Sequence, residues 1–191
     1  MSSSQKDTLF RLYESPKTVF SIAGITLLLG EERDGVIAKR LNYYVKEGKL
    51  LNPRRGFYAK KGYNPEELAC MLFTPSYLSL EYVLQKAGVV FQYDSRFSSV
   101  GYLSRSVEID GNEFLYRRIK GEILADMRGI QCNGNLNRAT PERAFLDVMY
   151  LNVDYYFDNL RVLDYKKVVE LLPIYNNRRM EARVKRLFNK Q

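Results

Sequence analysis

The segment from Asp34 to Ala59 most constrains the fold, because a helical pattern changes within it into two short extended runs. The first part repeats apolar residues at the spacing of one buried helix face, which are Ile37, Leu41, Tyr44 and Val45. Gly48 follows this pattern, and glycine commonly ends a helix in the left-handed conformation. The runs KLLN and GFYAK, joined by PRR and Gly56, then predict a β-hairpin.

Two shorter helical patterns precede this segment. The run QKDTLFRLYES predicts a first helix that stops before Pro16, with apolar positions at Leu9, Phe10, Leu12 and Tyr13. Ser21 is a suitable N-cap for a second helix that ends at Gly30. The apolar stripe of this helix is Ile22, Ile25, Leu28 and Leu29. Three helices followed by a hairpin is the order of a winged helix-turn-helix, so we predict such a DNA-binding domain over residues 1–62.

Polar and cationic residues on the outer surface of this domain are the candidate DNA contacts. At about 100° per residue, the third helix turns two lysines, an asparagine and a tyrosine away from its apolar stripe. The hairpin adds two arginines at its predicted tip and a lysine at the end of its second extended run. The predicted DNA-binding residues are Lys39, Asn42, Tyr43, Lys46, Arg54, Arg55 and Lys60. The alternative for the whole set is a solvated charged surface.

Asn42 is the predicted base-reading residue of this set. Its amide both donates and accepts hydrogen bonds, so it can pair with the N6 and N7 edge of adenine in the major groove. The alternative is a contact with phosphate or water, which receive many of the hydrogen bonds at protein–DNA interfaces.

Charge is distributed unevenly along the chain, which has 191 residues and a formal net charge of +8. Residues 1–62 hold 12 Lys and Arg against 6 Asp and Glu, and residues 161–191 hold 9 against 3. Residues 63–160 are acidic, with 9 Lys and Arg against 13 Asp and Glu. Basic ends around an acidic middle predict localised contacts with a polyanion such as nucleic acid.

The sequence does not favour a membrane or an exported protein. Its most apolar run, SIAGITLLLG, is too short to span a bilayer, and the N-terminus lacks the apolar core of a signal peptide. The two cysteines, Cys70 and Cys132, suggest no disulfide framework. We therefore expect a cytoplasmic protein.

Residues 63–191 predict a second, mixed α+β domain. The local signals are helix starts at Pro65, after Ser79 and after Thr140, with a hairpin turn at Asp110-Gly111. Arg143 and Asp147 are four residues apart in the last of these helices. We predict that they form a small stabilising ion pair on the protein surface.

A basic helix is predicted from Asn176 to Lys190. Its apolar stripe consists of Met180, Val184, Leu187 and Phe188. Its other faces are cationic, and the candidate second basic surface for nucleic acid consists of Arg178, Arg179, Arg183 and Arg186. The alternative is a solvated charged face.

The sequence offers no convincing catalytic constellation. It contains no histidine, and GKLLNPRRG lacks the Lys-Ser/Thr ending of a phosphate-binding loop. Asp110, Glu113 and Glu122, together with Lys120, are a weak candidate for a magnesium-dependent nuclease site, and the first two of them flank a tight turn. We therefore expect a protein that is not an enzyme and that holds no cofactor and no metal.

Three segments in one order resemble a known family. They are VKEGKLLNPRRGFYA, YLSLEYVLQKAG and ATPERAFLDVMYL, and the similarity extends from about Thr18 to Leu151. The pattern resembles the AbiEi family, whose members are antitoxins of type IV toxin–antitoxin and abortive-infection systems. The resemblance implies an N-terminal winged helix that binds inverted repeats in its own promoter and represses it. It also implies a C-terminal domain that counters a nucleotidyltransferase-like toxin, AbiEii, without necessarily forming a stable complex.

Two alternative functions belong to other classes. One is a plain transcriptional regulator, whose C-terminal domain dimerises or senses a ligand. A neighbouring nucleotidyltransferase gene would favour the antitoxin instead. The other alternative is a small nuclease with a winged-helix targeting module, which metal-dependent cleavage of DNA would reveal.

Overall fold

The computed structural model describes residues 3–30 and 34–189, so the predicted end of the last helix at Lys190 lies outside it. The chain divides into two compact units, Met1–Leu68 and Ala69–Gln191. Each unit contains helices and one of the two sheets. The prediction of a mixed α+β protein is confirmed at this level.

The first unit contains three helices and a small antiparallel sheet. Its elements are α1 (Ser3–Glu14), β1 (Val19–Ser21), α2 (Ile22–Leu29), α3 (Asp34–Lys46), β2 (Leu51–Arg54) and β3 (Phe57–Ala59). The strand order is β1-β3-β2, with β3 in the middle. The tight hairpin between β2 and β3 turns at Arg55 and Gly56, where Gly56 has φ +86°.

The helix ends follow the sequence predictions. The Ser21 hydroxyl accepts a hydrogen bond from the backbone N–H of Gly24 at 3.0 Å, as an N-cap does. Gly30 and Gly48 take left-handed φ values of +87° and +63° after α2 and α3. A side chain at either position would be strained, which explains why these helices end at glycine.

The core of the first unit confirms the predicted stripe of α3. Ile37, Leu41 and Tyr44 are fully buried and pack in one cluster with residues of the other elements: Leu12, Phe20, Ile25, Leu50 and Tyr58. Helix α1 differs from its prediction, because Phe10 and Tyr13 are exposed. Among the α1 residues whose burial the structure describes, Leu9 and Leu12 pack in the core cluster.

Strand β1 was not predicted. It forms one edge of the three-stranded sheet, next to β3. It is three residues long, too short to show a β-type alternation, and it pairs with β3 through Val19↔Ala59 and Phe20↔Tyr58. The Glu67 carboxylate accepts hydrogen bonds from the backbone N–H groups of Thr18 and Val19, at 2.9 and 3.2 Å. The start of this strand is therefore held by a residue that lies 48 positions away in sequence.

The second unit is built on a six-stranded mixed sheet. Helix α4 (Pro65–Leu72) begins in the first unit and ends in the second. The remaining elements are β4 (Ser76–Leu78), α5 (Leu80–Lys86), β5 (Phe97–Gly101), β6 (Arg105–Ile109), β7 (Asn112–Arg118), α6 (Gly121–Ala125), β8 (Ile130–Asn133), β9 (Leu136–Ala139), α7 (Pro141–Leu151), α8 (Tyr165–Leu171) and α9 (Arg178–Phe188), with short 3₁₀ turns at Leu160–Val162 and Leu172–Tyr175. The strand order is β6-β7-β5-β4-β9-β8.

Two local predictions in this unit are confirmed and one is corrected. Asp110 and Gly111 both have positive φ, 51° and 73°, in the two-residue turn between β6 and β7. The Thr140 hydroxyl accepts a hydrogen bond from Arg143 N–H at the start of α7. Ser79 stands at the N-cap position of α5, but its hydroxyl makes no capping bond there. It donates instead to Asp147, at 2.7 Å.

The prediction of a surface ion pair between Arg143 and Asp147 is wrong. Both side chains have 0% exposure, and the Arg143 Nε lies 3.5 Å from the Asp147 Oδ1. The Arg143 guanidinium also donates to the backbone carbonyls of Ile123, Asp126 and Arg128, at 2.7, 3.2 and 3.0 Å. The spacing of four residues placed the pair correctly on one helix face, but it carried no information about which face is buried.

Hydroxyl groups complete the surroundings of the Asp147 carboxylate. Tyr175 and Ser79 each donate to it at 2.7 Å, and Tyr77 donates at 3.1 Å. Burial raises the pKa of Asp147, while Arg143 and these hydroxyl groups oppose the rise. Burial also raises the pKa values of Tyr77 and Tyr175, so both phenols stay protonated and remain donors.

We expect Asp147→Ala to lower the free energy of unfolding of the second unit by about 3–5 kcal/mol, because the Arg143 charge would stay buried without its carboxylate. Glu181→Ala is the matched control, since Glu181 and Lys185 form an exposed pair with the same spacing. Loss of this exposed pair should lower the free energy of unfolding by at most about 0.5 kcal/mol. Urea unfolding of the full chain measures the effect of both variants. Equal effects would contradict the buried position of the Arg143–Asp147 pair.

Candidate nucleic-acid interface

Helix α3 exposes the four residues that the sequence predicted for its outer face. Lys39, Asn42, Tyr43 and Lys46 are all exposed, while the opposite side of the helix is fixed in the core. No ion pair or side-chain hydrogen bond joins either lysine to another residue in the described part of the chain. The helix therefore presents two cations, an amide and a phenol on a rigid support.

The β2–β3 hairpin carries the predicted arginines in two different environments. Arg55 lies in the turn and is exposed, whereas Arg54 is half-buried at the end of β2, opposite Phe57. The side-chain amide of Asn52 donates to the backbone carbonyls of Arg54 and Phe57, at 3.1 and 2.6 Å. Asn52, which sequence reasoning missed, thus braces the hairpin on both sides of its turn and fixes the position from which Arg55 projects.

Asn42 has a partner from the hairpin. The Tyr58 hydroxyl donates to the Asn42 Oδ1 at 2.9 Å. Tyr58 is in the middle strand, is 3% exposed, and belongs to the core cluster. Burial raises the pKa of Tyr58, so its hydroxyl stays a donor at neutral pH. Sequence reasoning missed this contact, because it spans 16 residues and depends on the register of the sheet.

Lys60 has internal partners that its prediction as a DNA contact did not anticipate. Its amine donates to the backbone carbonyls of Tyr13 and Ser15, at the end of α1. Lysine near the last carbonyls of a helix is a common C-terminal stabiliser. Partial burial lowers the pKa of Lys60, and the nearby Glu67 carboxylate opposes this shift. The structure gives Lys60 a role in holding α1.

The candidate second basic surface lies on α9. Arg178, Arg179 and Arg186 are exposed, while Met180 and Val184 are fully buried on the other face of the helix. Arg183 differs from the other three arginines, because its guanidinium donates to the backbone carbonyls of Met149 and Val153, at 2.8 and 3.2 Å. Three of the four predicted arginines therefore form the exposed basic face.

A polar hollow of about 390 Å³ lies near Tyr155 in the second unit, lined also by Glu81, Asp94 and Arg96 among others. Burial, with added effects of nearby carboxylates, raises the pKa of Tyr155 to about 12. Its phenol is therefore protonated at neutral pH and is a poor general base. The Asp94 carboxylate is engaged by Arg96 at 2.7 Å.

The residues of the predicted acidic group belong to more than one element. Asp110 lies in the β6–β7 turn, and the Glu113 carboxylate accepts a hydrogen bond from the Ser106 hydroxyl at 2.9 Å. Over residues 3–30 and 34–189, no three His, Cys, Asp or Glu side chains are grouped so that they could hold a metal ion. Both cysteines are free thiols, Cys70 buried and Cys132 exposed.

Comparison of the chain with models of known protein families and with curated proteins gave no match. Within the described residues, no helix has both the length and the apolar character needed to cross a bilayer.

We expect Lys60→Ala to lower the free energy of unfolding of the first unit by about 1 kcal/mol, because the last carbonyls of α1 would lose their donor. Lys46→Ala removes an exposed lysine of the same unit and should change the free energy of unfolding by less than about 0.5 kcal/mol. Urea unfolding, followed by circular dichroism, compares the two variants. A larger effect at Lys46 than at Lys60 would contradict these roles.

Proposed function

We propose that the first unit is a winged helix-turn-helix that binds double-stranded DNA. Its element order and its strand order β1-β3-β2 support this reading. In the proposed complex α2 braces α3, α3 enters the major groove, and the β2–β3 hairpin is the wing that contacts the adjacent backbone.

The main support for this proposal is the set of exposed cations on α3 and on the β2–β3 hairpin. Lys39, Lys46 and Arg55 lack ionic partners among the described residues, although the chain contains 22 Asp and Glu. They extend from elements whose other sides are packed in the core. Cations that the fold leaves unpaired on a rigid support are suited to phosphates, whose contacts set the position of a protein on DNA.

We further propose that the protein is an antitoxin of the AbiEi type that represses its own promoter. This step is supported by the resemblance of three sequence segments. Under this proposal the first unit would bind inverted repeats, and the second unit would counter a nucleotidyltransferase-like toxin. A plain transcriptional regulator is the alternative that the surface of α3 supports equally, since it requires the same DNA contacts.

We expect DNA binding to depend steeply on salt, because each phosphate contact releases counterions and contributes about −0.9 to the log–log slope. Lys46→Ala and Arg55→Ala should each weaken binding to operator and random duplexes alike, and each should reduce the slope by about one. Lys166→Ala, an exposed lysine of the second unit, is the control and should leave the slope unchanged. Titrations by fluorescence anisotropy at several salt concentrations measure the slopes. Unchanged slopes in both test variants would place the DNA elsewhere.

We expect repression and toxin neutralisation to be separable. The double variant Lys46→Ala with Arg55→Ala, expressed from a foreign promoter, should rescue host growth from the toxic product of the neighbouring gene as well as the wild type does. Asp147→Ala should lose rescue, because it disrupts the second unit. Growth at matched protein levels is the measurement. If the neighbouring gene product is harmless, the plain regulator is favoured, and loss of rescue in the double variant would contradict two separate functions.

A further inference from the structure

Two loops of the second unit expose four large apolar side chains. Phe91 and Tyr93 lie in the loop between α5 and β5 and are 67% and 79% exposed. Val153 and Tyr156 lie in the loop that follows α7 and are 66% and 78% exposed. Apolar side chains that a fold leaves together in water commonly mark an interaction site, and tyrosine and phenylalanine are enriched at protein–protein interfaces.

Hydrogen bonds hold the two loops against each other. The Asp158 N–H donates to the Val89 carbonyl at 3.1 Å, and the Asp158 carboxylate accepts from the Phe91 N–H at 2.8 Å. Phe157 is buried in the second loop, and its ring packs against that of Phe145 with centroids 4.8 Å apart. The loops are therefore ordered before any partner binds, which removes part of the entropy cost of binding.

The polar hollow near Tyr155 is lined by residues from both loops. Tyr93 and Tyr155 contribute one loop each, and Glu81 contributes from α5. Glu81 is half-buried and forms no ion pair or hydrogen bond with the residues that the structure describes. Arg96 is already bound to Asp94, through its Nε at 2.9 Å and its Nη2 at 2.7 Å. An unpaired carboxylate beside tyrosine side chains suits an added ammonium or guanidinium group.

The charge around the hollow is negative. Residues 81–96 and 152–159 together hold four Asp and Glu against two Lys and Arg. Burial raises the pKa of Tyr155, and carboxylates from α5 and from both loops add to the rise. Such a surface repels phosphate groups and attracts cationic side chains, so it suits a basic protein surface and does not suit nucleic acid.

We propose that these two loops form the docking surface for a basic protein partner, which places a lysine or arginine side chain in the hollow and packs against Phe91, Tyr93 and Tyr156. This inference rests on the proposed antitoxin function, under which the partner is the toxic product of the neighbouring gene. Aromatic side chains and enclosed charges supply most of the affinity of such contacts. Charge attraction speeds the encounter, so the contact does not require a long-lived complex.

Rescue of host growth, titrated by the amount of the full chain that is expressed, measures this contact. The double variant Tyr93→Ser with Tyr156→Ser removes two aromatic side chains from the surface. Glu81→Gln removes the charge from the hollow and keeps the shape of the side chain. Each change should raise the amount of protein needed for half-maximal rescue about tenfold, the effect typical of residues at the centre of an interface.

Matched variants elsewhere in the second unit separate loss of the contact from loss of folding. Tyr102→Ser and Glu108→Gln change an exposed tyrosine and an exposed glutamate that lie outside the two loops. Both control variants should rescue at the same expression level as the wild type. Urea unfolding of the test variants should match that of the wild type, because the changed side chains are exposed or unpaired.

Photo-cross-linking detects the contact without a stable complex. Benzoylphenylalanine in place of Tyr93 should cross-link to the toxin in cells that express both proteins, and the same residue in place of Tyr102 should not. A cross-link from position 93 to nucleic acid or to a second copy of this chain, with none to the toxin, would overturn the inference.

The wild type distinguishes this inference from the function on which it rests. If the wild type does not rescue growth, the antitoxin function and this inference both fail. If the wild type rescues, weaker rescue by both test variants together with the cross-link from position 93 supports the docking surface. The absence of either result then overturns the docking surface alone and leaves the antitoxin function in place.

Discussion

Arg143 and Asp147 are both excluded from water, and several elements of the second unit supply the hydrogen bonds that the buried pair needs. A buried guanidinium or carboxylate is costly unless hydrogen bonds satisfy it on several sides. Here the partners come from β4, the start of α5, the end of α6, the loop after it and the 3₁₀ turn Leu172–Tyr175. Each of these elements has to be in place before the pair is satisfied, so the pair links α7 to segments from across the second unit.

The same network joins two of the three sequence segments on which the proposed AbiEi-type function is based. Tyr77 and Ser79 belong to YLSLEYVLQKAG, while Arg143 and Asp147 belong to ATPERAFLDVMYL, and the four side chains meet in one buried cluster. Residues inside a core specify how a chain folds, and they do not contact a partner from there. Under the proposed antitoxin function, these buried side chains serve folding, and the residues that would counter a toxin would have to be sought on the surface of this unit.

The sequence correctly predicted the local features of the fold, which depend on residues a few positions apart. The stripe of α3, the cap at Ser21, the glycine ends of α2 and α3, and the Asp110-Gly111 turn are all decided within a few positions. The sequence could not show the burial of Arg143, because helical spacing places a pair on one face without stating what covers it. For the candidate site, exposure of the α3 residues and of Arg55 followed from the helical and hairpin patterns.

The contacts that modify the candidate site were missed for one physical reason. The bonds from Tyr58 to Asn42 and from Lys60 to the end of α1 join residues 16 and 45 or more positions apart. Whether such groups meet depends on strand register and on where helices pack, and neither is encoded in a local pattern. Strand β1 was missed for the same reason. Its three residues carry no clear strand pattern, and it is held by its pairing with β3 and by its hydrogen bond to Glu67.

Helix α7 has no solvent side over most of its length. Eight consecutive residues, Glu142 to Met149, are buried. A surface helix can fray and exchange its amide hydrogens through local opening, but α7 cannot open without exposing both members of its ion pair. Its amide hydrogens should therefore exchange with solvent only when the second unit opens as a whole, which makes α7 a slowly exchanging segment and a direct reporter of global unfolding.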